Sequence, residues 1–287
     1  MKMMLYYSVV LIMVLTSMPG QAQESLTLYD NFEVKFLDPI KWLGAEALTN
    51  AGSLILESSR QIKKEPIYGY KGLNILHRGY GGTTVDSGIS FTSTRLVIPD
   101  GSDVETLQAT VQVKHFQAVG CTDNPEATEV RARISGYFFN TDIPTPGSAV
   151  NDVFAYIIVR RLSSSSARAN VLEVVGRVMV CHDNNCNNVT LLGSADLGTV
   201  LLNQKVKLRM TWDKINQEFI FQKGRSPEYH VYYGDSVSDT APPGMANGGS
   251  KRLEVVGFVA NCATEPRPVG FMEAFFDNVF VNASAIP

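Results

Sequence analysis

The chain has 287 residues, 45% of them hydrophobic and 18% charged, and a formal net charge of −3. That slight acidity argues against nucleic acid as a partner, which demands a basic footprint. The length suits one large domain, since β-sandwiches and barrels of about 200–250 residues are ordinary.

Residues 1–22 read as an export signal. Met1-Lys2 is a short positive start, residues 4–18 are almost all apolar, and Pro19-Gly20 break the run. Gly20 and Ala22 then place small residues at the −3 and −1 positions of a cleavage site between Ala22 and Gln23. An apolar run of about 15 residues falls short of the roughly 20 that a membrane helix needs. No later stretch approaches that length, so the expectation is a secreted or periplasmic protein with no membrane span after cleavage. The mature part, residues 23–287, is expected to be a single domain, and losing Lys2 makes it one charge more negative.

That part alternates apolar and polar residues, the period of a half-buried strand. Early candidate strands are 28–36, 53–57 and 89–98. Leu107, Ala109, Val111 and Val113 alternate with Gln108, Thr110, Gln112 and Lys114. Val130, Ala132, Ile134, Gly136 and Phe138 alternate with Arg131, Arg133, Ser135, Tyr137 and Phe139. Residues 153–162 form another strand. Leu172, Val174, Gly176, Val178 and Val180 alternate with Glu173, Val175, Arg177 and Met179, and Val206, Leu208, Met210 and Trp212 with Lys207, Arg209, Thr211 and Asp213. Strands at 217–222, 253–260 and 271–282 complete the pattern, with Trp42 and Trp212 in apolar patterns of the core. Ser163–Ser166 and Asp213-Lys214-Ile215-Asn216 read as turns, and no stretch sustains a helical period. Long antiparallel strands with one apolar face need a second sheet to cover it. The expected fold is therefore all-β, a two-sheet antiparallel jelly-roll sandwich.

All four cysteines, Cys121, Cys181, Cys186 and Cys262, lie in the mature part. An even number in an oxidising compartment reads as disulfides, with three possible connectivities. Residues 181–186 make a polar turn between two apolar runs, where a Cys181–Cys186 bridge is locally easy. That pairing leaves Cys121 with Cys262. Cys181, His182 and Cys186 match no zinc spacing, and His77, His115 and His230 are scattered.

The polar sides of the long strands supply the candidate ligand residues: Gln112, Arg131, Arg133, Tyr137, Tyr156, Glu173, Arg177 and Arg209. If those strands form one sheet, they share an outward surface rich in Arg, Gln and Tyr. Arginine forks bind carboxylates bidentately, and tyrosine offers a flat face with a hydroxyl, which suits a groove for an acidic or neutral glycan. The competing reading is a solvated face on which cross-strand Arg–Glu pairs add a few tenths of a kcal/mol.

Two stretches at the ends carry a resemblance. Tyr29-Asp30-Asn31-Phe32 with Leu37-Asp38-Pro39-Ile40-Lys41-Trp42 resembles the opening of concanavalin A-like lectin/glucanase domains, and residues 272–281 resemble their closing strand. The middle, at 131–140 and 152–161, resembles bacterial secreted proteins with the same ends. The resemblance implies the sandwich, with its first and last strands close together. It also implies a possible structural calcium on Asp277 with backbone carbonyls near Asp30, against the alternative that Asp277 makes a turn or a cross-strand hydrogen bond. It leaves function open, because this superfamily hosts lectins, hydrolases, lyases and adhesion modules.

The hydrolase pattern Glu-x-Asp-x-x-Glu is absent, and Glu173 and Glu129 stand alone on their strands. The lyase pattern is incomplete. Arg131-Ala132-Arg133 lacks its glutamate, Lys114 stands where a histidine belongs after Gln112-Val113, and Phe221-Gln222-Lys223-Gly224 lacks its tyrosine. The leading expectation is a non-catalytic binding module for an extracellular glycan, with no cofactor. A lyase acting on an acidic glycan and a structural or surface-assembly protein are the alternatives.

Overall fold

A computed structural model describes residues 25–44, 55–65, 69–99, 101–245, 250–264 and 266–285. The expected signal, its cleavage point and part of the expected strand at 53–57 lie outside them. The described chain runs β1 (Leu26–Asp30), β2 (Ile55–Lys64), β3 (Lys71–Tyr80), β4 (Ile89–Ile98), β5 (Thr106–Val119), β6 (Glu129–Asn140) and β7 (Asp152–Leu162). It continues through β8 (Val171–Cys181), β9 (Val189–Leu201), β10 (Lys205–Asp213), β11 (Glu218–Lys223), β12 (Tyr229–Tyr232), β13 (Lys251–Ala260) and β14 (Val269–Asn282), and ends in a 3₁₀ turn at Ala283–Ala285.

These strands form two antiparallel sheets packed face to face, the expected jelly-roll sandwich. The back sheet has eight strands in the order β12-β11-β10-β5-β14-β3-β2, with β1 pairing on β14. The front sheet has six, in the order β4-β13-β6-β7-β8-β9. The chain changes sheet from β3 to β4, β4 to β5, β5 to β6, β9 to β10, β12 to β13 and β13 to β14. First and last strands meet as expected, with Leu26 opposite Asn282 and Leu28 opposite Phe280.

The apolar half of each alternation fills the space between the sheets. Ala109 and Val111 of β5, Ala132 and Ile134 of β6, Val174 of β8 and Leu208 of β10 are fully buried there. At Gly176 the packing leaves no room for a side chain, because a Cβ would stand 2.5 Å from Cγ of Phe221 across the sandwich. Apolar burial at roughly 25 cal/mol per Å² makes this interior the main stabilising term.

The structure corrects several expectations. The strand expected at 28–36 stops at Asp30, whose Oδ1 accepts from the Phe32 N–H at 2.8 Å while Phe32 takes a φ of 54°. That side-chain turn redirects the chain. Phe139, expected on the polar side, points into the core, because the β6–β7 register slips between Tyr137 and Phe139. A bulge of this kind turns the next side chain to the other face. Both cysteine pairings occur as expected: Cys121–Cys262, with a sequence separation of 141, and Cys181–Cys186, with a separation of 5. The long one joins the end of β5 in the back sheet to the end of β13 in the front sheet.

Candidate functional site: a cleft on the front sheet

The outward side chains of the front sheet form rows across its strands. Arg252 of β13 lies opposite Ser135 of β6, which lies opposite Tyr156 of β7, then Arg177 of β8 and Ser194 of β9. The next row runs Arg95, Glu254, Arg133, Ile158 and Val175. The one beyond it runs Ser93, Val256, Arg131, Arg160 and Glu173. On the other flank, Tyr137, Phe154 and Met179 make an aromatic and thioether row. Here the two-residue period of the strand places charge and ring on one surface.

A cavity of ≈ 240 Å³ opens on this surface, with Arg131, Arg133, Tyr156, Arg177 and Arg252 in its lining. Phe91 and Phe258 line it as well, as do Val189 and Leu191 of β9 and the loop residues Asn185 and Asn187. Cys186, bridged to Cys181, also lines it, so the short disulfide fixes the loop that forms one lip. The cleft continues past Tyr137 and Arg252 to Arg60 and Arg95, and past Arg177 towards Arg160, Glu173 and Asp196.

The guanidinium groups are held by rings and carboxylates. Arg131 donates to Glu129 Oε2 at 2.6 Å and lies 4.1 Å from the Phe258 ring centroid. Arg160 joins Glu129 at 3.3 Å and Glu173 at 2.9 Å. Arg133 Nε lies 2.7 Å from Glu254 Oε1, a charge contact without the alignment of a hydrogen bond. Arg252 bonds Ser250 Oγ and stands 5.0 Å from the Tyr137 ring. Arg177 differs. Among the described residues it makes no ion pair and no side-chain hydrogen bond, its charge acts on Glu129 only at longer range, and its Nε, like those of Arg131 and Arg133, is buried without an acceptor.

Protonation follows from this arrangement. Burial raises the Glu254 carboxyl, but the Arg133 and Arg252 charges and the Ser135 hydroxyl outweigh it and hold Glu254 down at about 2. Burial likewise works against ionised Glu129, yet Arg131 and Arg160 keep it below the usual carboxylate range. Burial pushes the Tyr137 phenol up. The carboxylates behind the cleft are therefore fixed anions.

Of the expected ligand residues, the structure brings together Arg131, Arg133, Tyr137, Tyr156 and Arg177, with Glu173 at the far end. It separates Gln112 and Arg209 from them. Both lie on β5 and β10 of the back sheet, on its outward side, facing away from the cleft. Gln112 accepts from Tyr70 Oη at 3.1 Å and donates to the Asn203 carbonyl at 2.7 Å, and Arg209 pairs with Glu228. Alternation assigns a residue to a face of its strand but does not say which sheet receives that strand. Arg252 was missed because the expected strand began at 253, inside the observed β13, and Glu254 because it was not sorted to a face within that strand; carrying the alternation back to 252 places both on the outward side.

Asp277 lies on the outward side of the back sheet. Its two oxygens accept from the backbone and side-chain amides of Asn278 at 2.7 and 2.8 Å. Burial raises its carboxyl, Glu33 and Asp30 raise it further, and Lys205 opposes them. The Asp30 oxygens already serve Phe32 N and Trp42 Nε1. Asp86, Cys121 and Cys262 are the trio of potential metal ligands found among the described residues, and two of these are joined as a disulfide.

No family model matches the chain, and no curated protein matches it. Among solved structures it is similar to a GlcNAcα1-4Gal-releasing endo-β-galactosidase from Clostridium perfringens, at 8% identity and a TM-score of 0.42, covering 93% of this chain and 65% of that one. It is similar to the catalytic domain of an endo-1,3-β-glucanase from Thermotoga petrophila, at 12% identity and a TM-score of 0.42, covering 91% and 100%. It is also similar to an alginate lyase from Klebsiella pneumoniae, at 10% identity and a TM-score of 0.37, covering 77% and 82%. The chain thus spans less than two thirds of the first of these. At such identities and scores, the functional argument rests on this chain's own residues.

Proposed function

We propose that this is an exported glycan-binding protein without catalytic activity, and that the front-sheet cleft is its site. One observation carries the reading: aromatic rings and fixed guanidinium groups line one cavity, held in place by the sheet and a disulfide-closed lip. Such a lining, mostly apolar with a few oriented polar groups, is that of a ligand site. Rings give sugars a flat surface, and forked donors give their oxygens direction. Two disulfides and the signal-like N-terminus support export.

The carboxylates argue against glycoside hydrolysis. Glycoside hydrolysis needs one carboxyl group that holds a proton near neutral pH, beside a second one. Glu129 and Glu254 are both pressed the other way by arginine. A glycan array with the mature chain tests the binding. Binding of oligosaccharides without release of reducing ends is expected, and an array without a hit, or chain cleavage, contradicts the proposal.

Lyase action on an acidic glycan is the second reading. It is favoured by Arg131 Nη1 lying 3.5 Å from Tyr156 Oη inside the cleft, a cation beside a phenol that could move a proton. Growth of unsaturated-uronate absorbance, abolished by Tyr156→Phe, would establish it. Calcium at Asp277 is a separate proposal, resting on the resemblance. EDTA should lower the Tm of the wild type and not that of Asp277→Asn, and equal values would refute it.

A further inference from the structure

We propose that the cleft takes an anionic glycan, one whose sugars carry carboxylate or sulfate groups, and that Arg177 receives the charged group. This rests on the glycan-binding reading above and adds the ligand's charge and its anchor.

Composition offers no general reason for positive charge here, because the whole chain carries −3. Yet four arginines, Arg131, Arg133, Arg177 and Arg252, line the cavity, and none of its described lining is acidic. The acids that balance the face stand outside that lining, and they are already engaged. Glu129 is shared by Arg131 and Arg160, and Glu254 lies against Arg133. Arg177 makes no ion pair with either acid, its charge reaching Glu129 only at longer range.

Its surroundings make that charge costly unless a ligand meets it. Arg177 is half-buried, its Nε is enclosed without an acceptor, and its cross-strand neighbours are Tyr156 and Ser194, neither of them an anion. Buried donors left unpaired are rare in folded proteins and point to a missing partner. A guanidinium offers a planar fork of donors that matches two oxygens of a carboxylate or a sulfate. Neutral hydroxyls can meet the fork but cannot neutralise it. Tyr156, on the neighbouring strand, lines the cavity beside Arg177, so a ring face and an anion receptor adjoin, as a charged sugar requires.

Titration calorimetry tests this with three probes: oligogalacturonate for carboxylate, a sulfated galactan oligosaccharide for sulfate, and a neutral galactan oligosaccharide. At least one anionic probe should bind more tightly than the neutral one, and its affinity should fall as salt is added. Arg177→Gln should weaken that anionic probe about 10–100-fold, the loss of a charge-assisted hydrogen-bond pair. It should weaken the neutral probe by a much smaller factor than the anionic one. Arg225→Gln removes the same charge from an exposed turn and should leave both unchanged. Whether galacturonate or sulfated galactan responds identifies the group. Equal binding of neutral and anionic probes overturns the inference but leaves glycan binding standing, as does an equal loss in Arg225→Gln. No binding of any probe, alongside an array without a hit, removes both readings.

Discussion

Glu254 shows how much of the site depends on single charges. It is fully buried on β13, yet it stays ionised because Arg133 and Arg252 face it and Ser135 donates to it. Removing one partner of a buried pair leaves an uncompensated charge, which costs about 3–5 kcal/mol. Glu254→Gln should therefore destabilise by about 3 kcal/mol in urea unfolding at pH 7; a change below about 1 kcal/mol would show that the charges are not coupled. The pH dependence has a definite sign. The folded carboxyl sits at about 2 against an ordinary 4.5, so its stabilisation is complete above about pH 4.5 and is lost as pH falls towards 2. Wild-type stability should drop across that window by up to about 1.4 kcal/mol per pH unit from this group, and Glu254→Gln should flatten the drop. At this scale the sequence was partly legible. Arg131, Arg133 and Tyr137 announce themselves by alternation, while Arg252 was hidden by a strand start placed two residues too late and Glu254 by standing as a lone acid within an apolar run.

At the scale of elements, covalent links and edges decide what the strands do. The 121–262 bridge closes a loop with a separation of 141 and ties one sheet to the other, whereas the 181–186 bridge closes a separation of 5 within a single lip. In the chain-entropy model the long loop contributes roughly 5 kcal/mol and the short one roughly 2 kcal/mol. Cys262→Ser should lower the midpoint of urea unfolding well beyond Cys186→Ser, and the reverse order would contradict that account. Strands β4, β7 and β14 were visible in the sequence as long runs rich in apolar, aromatic and β-branched residues. Strand β3 was not, because Gly72, Asn74 and Gly79 interrupt it and most of it is buried on both sides. Strand β9 was not, because it is the front sheet's outer edge, much of it exposed, with glycines at 193 and 198.

For the whole molecule, the sandwich followed from period and length, since a sheet with one apolar face must be covered. Which strands share a sheet did not follow, because that depends on pairings between residues far apart in the chain. Gln108 of β5 lies opposite Arg209 of β10, and Phe280 of β14 lies opposite Gln108. Hence five of the eight expected ligand residues meet in one cleft, Glu173 stands at its end, and Gln112 and Arg209 lie across the molecule. The cleft is bounded by elements from both ends of the front sheet's strand order, Phe91 of β4 on one side and the β8–β9 lip at Asn185 and Asn187 on the other. Filling it from the lip without touching its charges tests the account most directly. Asn187 is exposed and lines the opening, so Asn187→Trp should leave the unfolding midpoint unchanged and weaken binding of the best array glycan at least about 10-fold in titration calorimetry. Undiminished affinity in a folded Asn187→Trp protein would place the glycan elsewhere and contradict the assignment of the cleft.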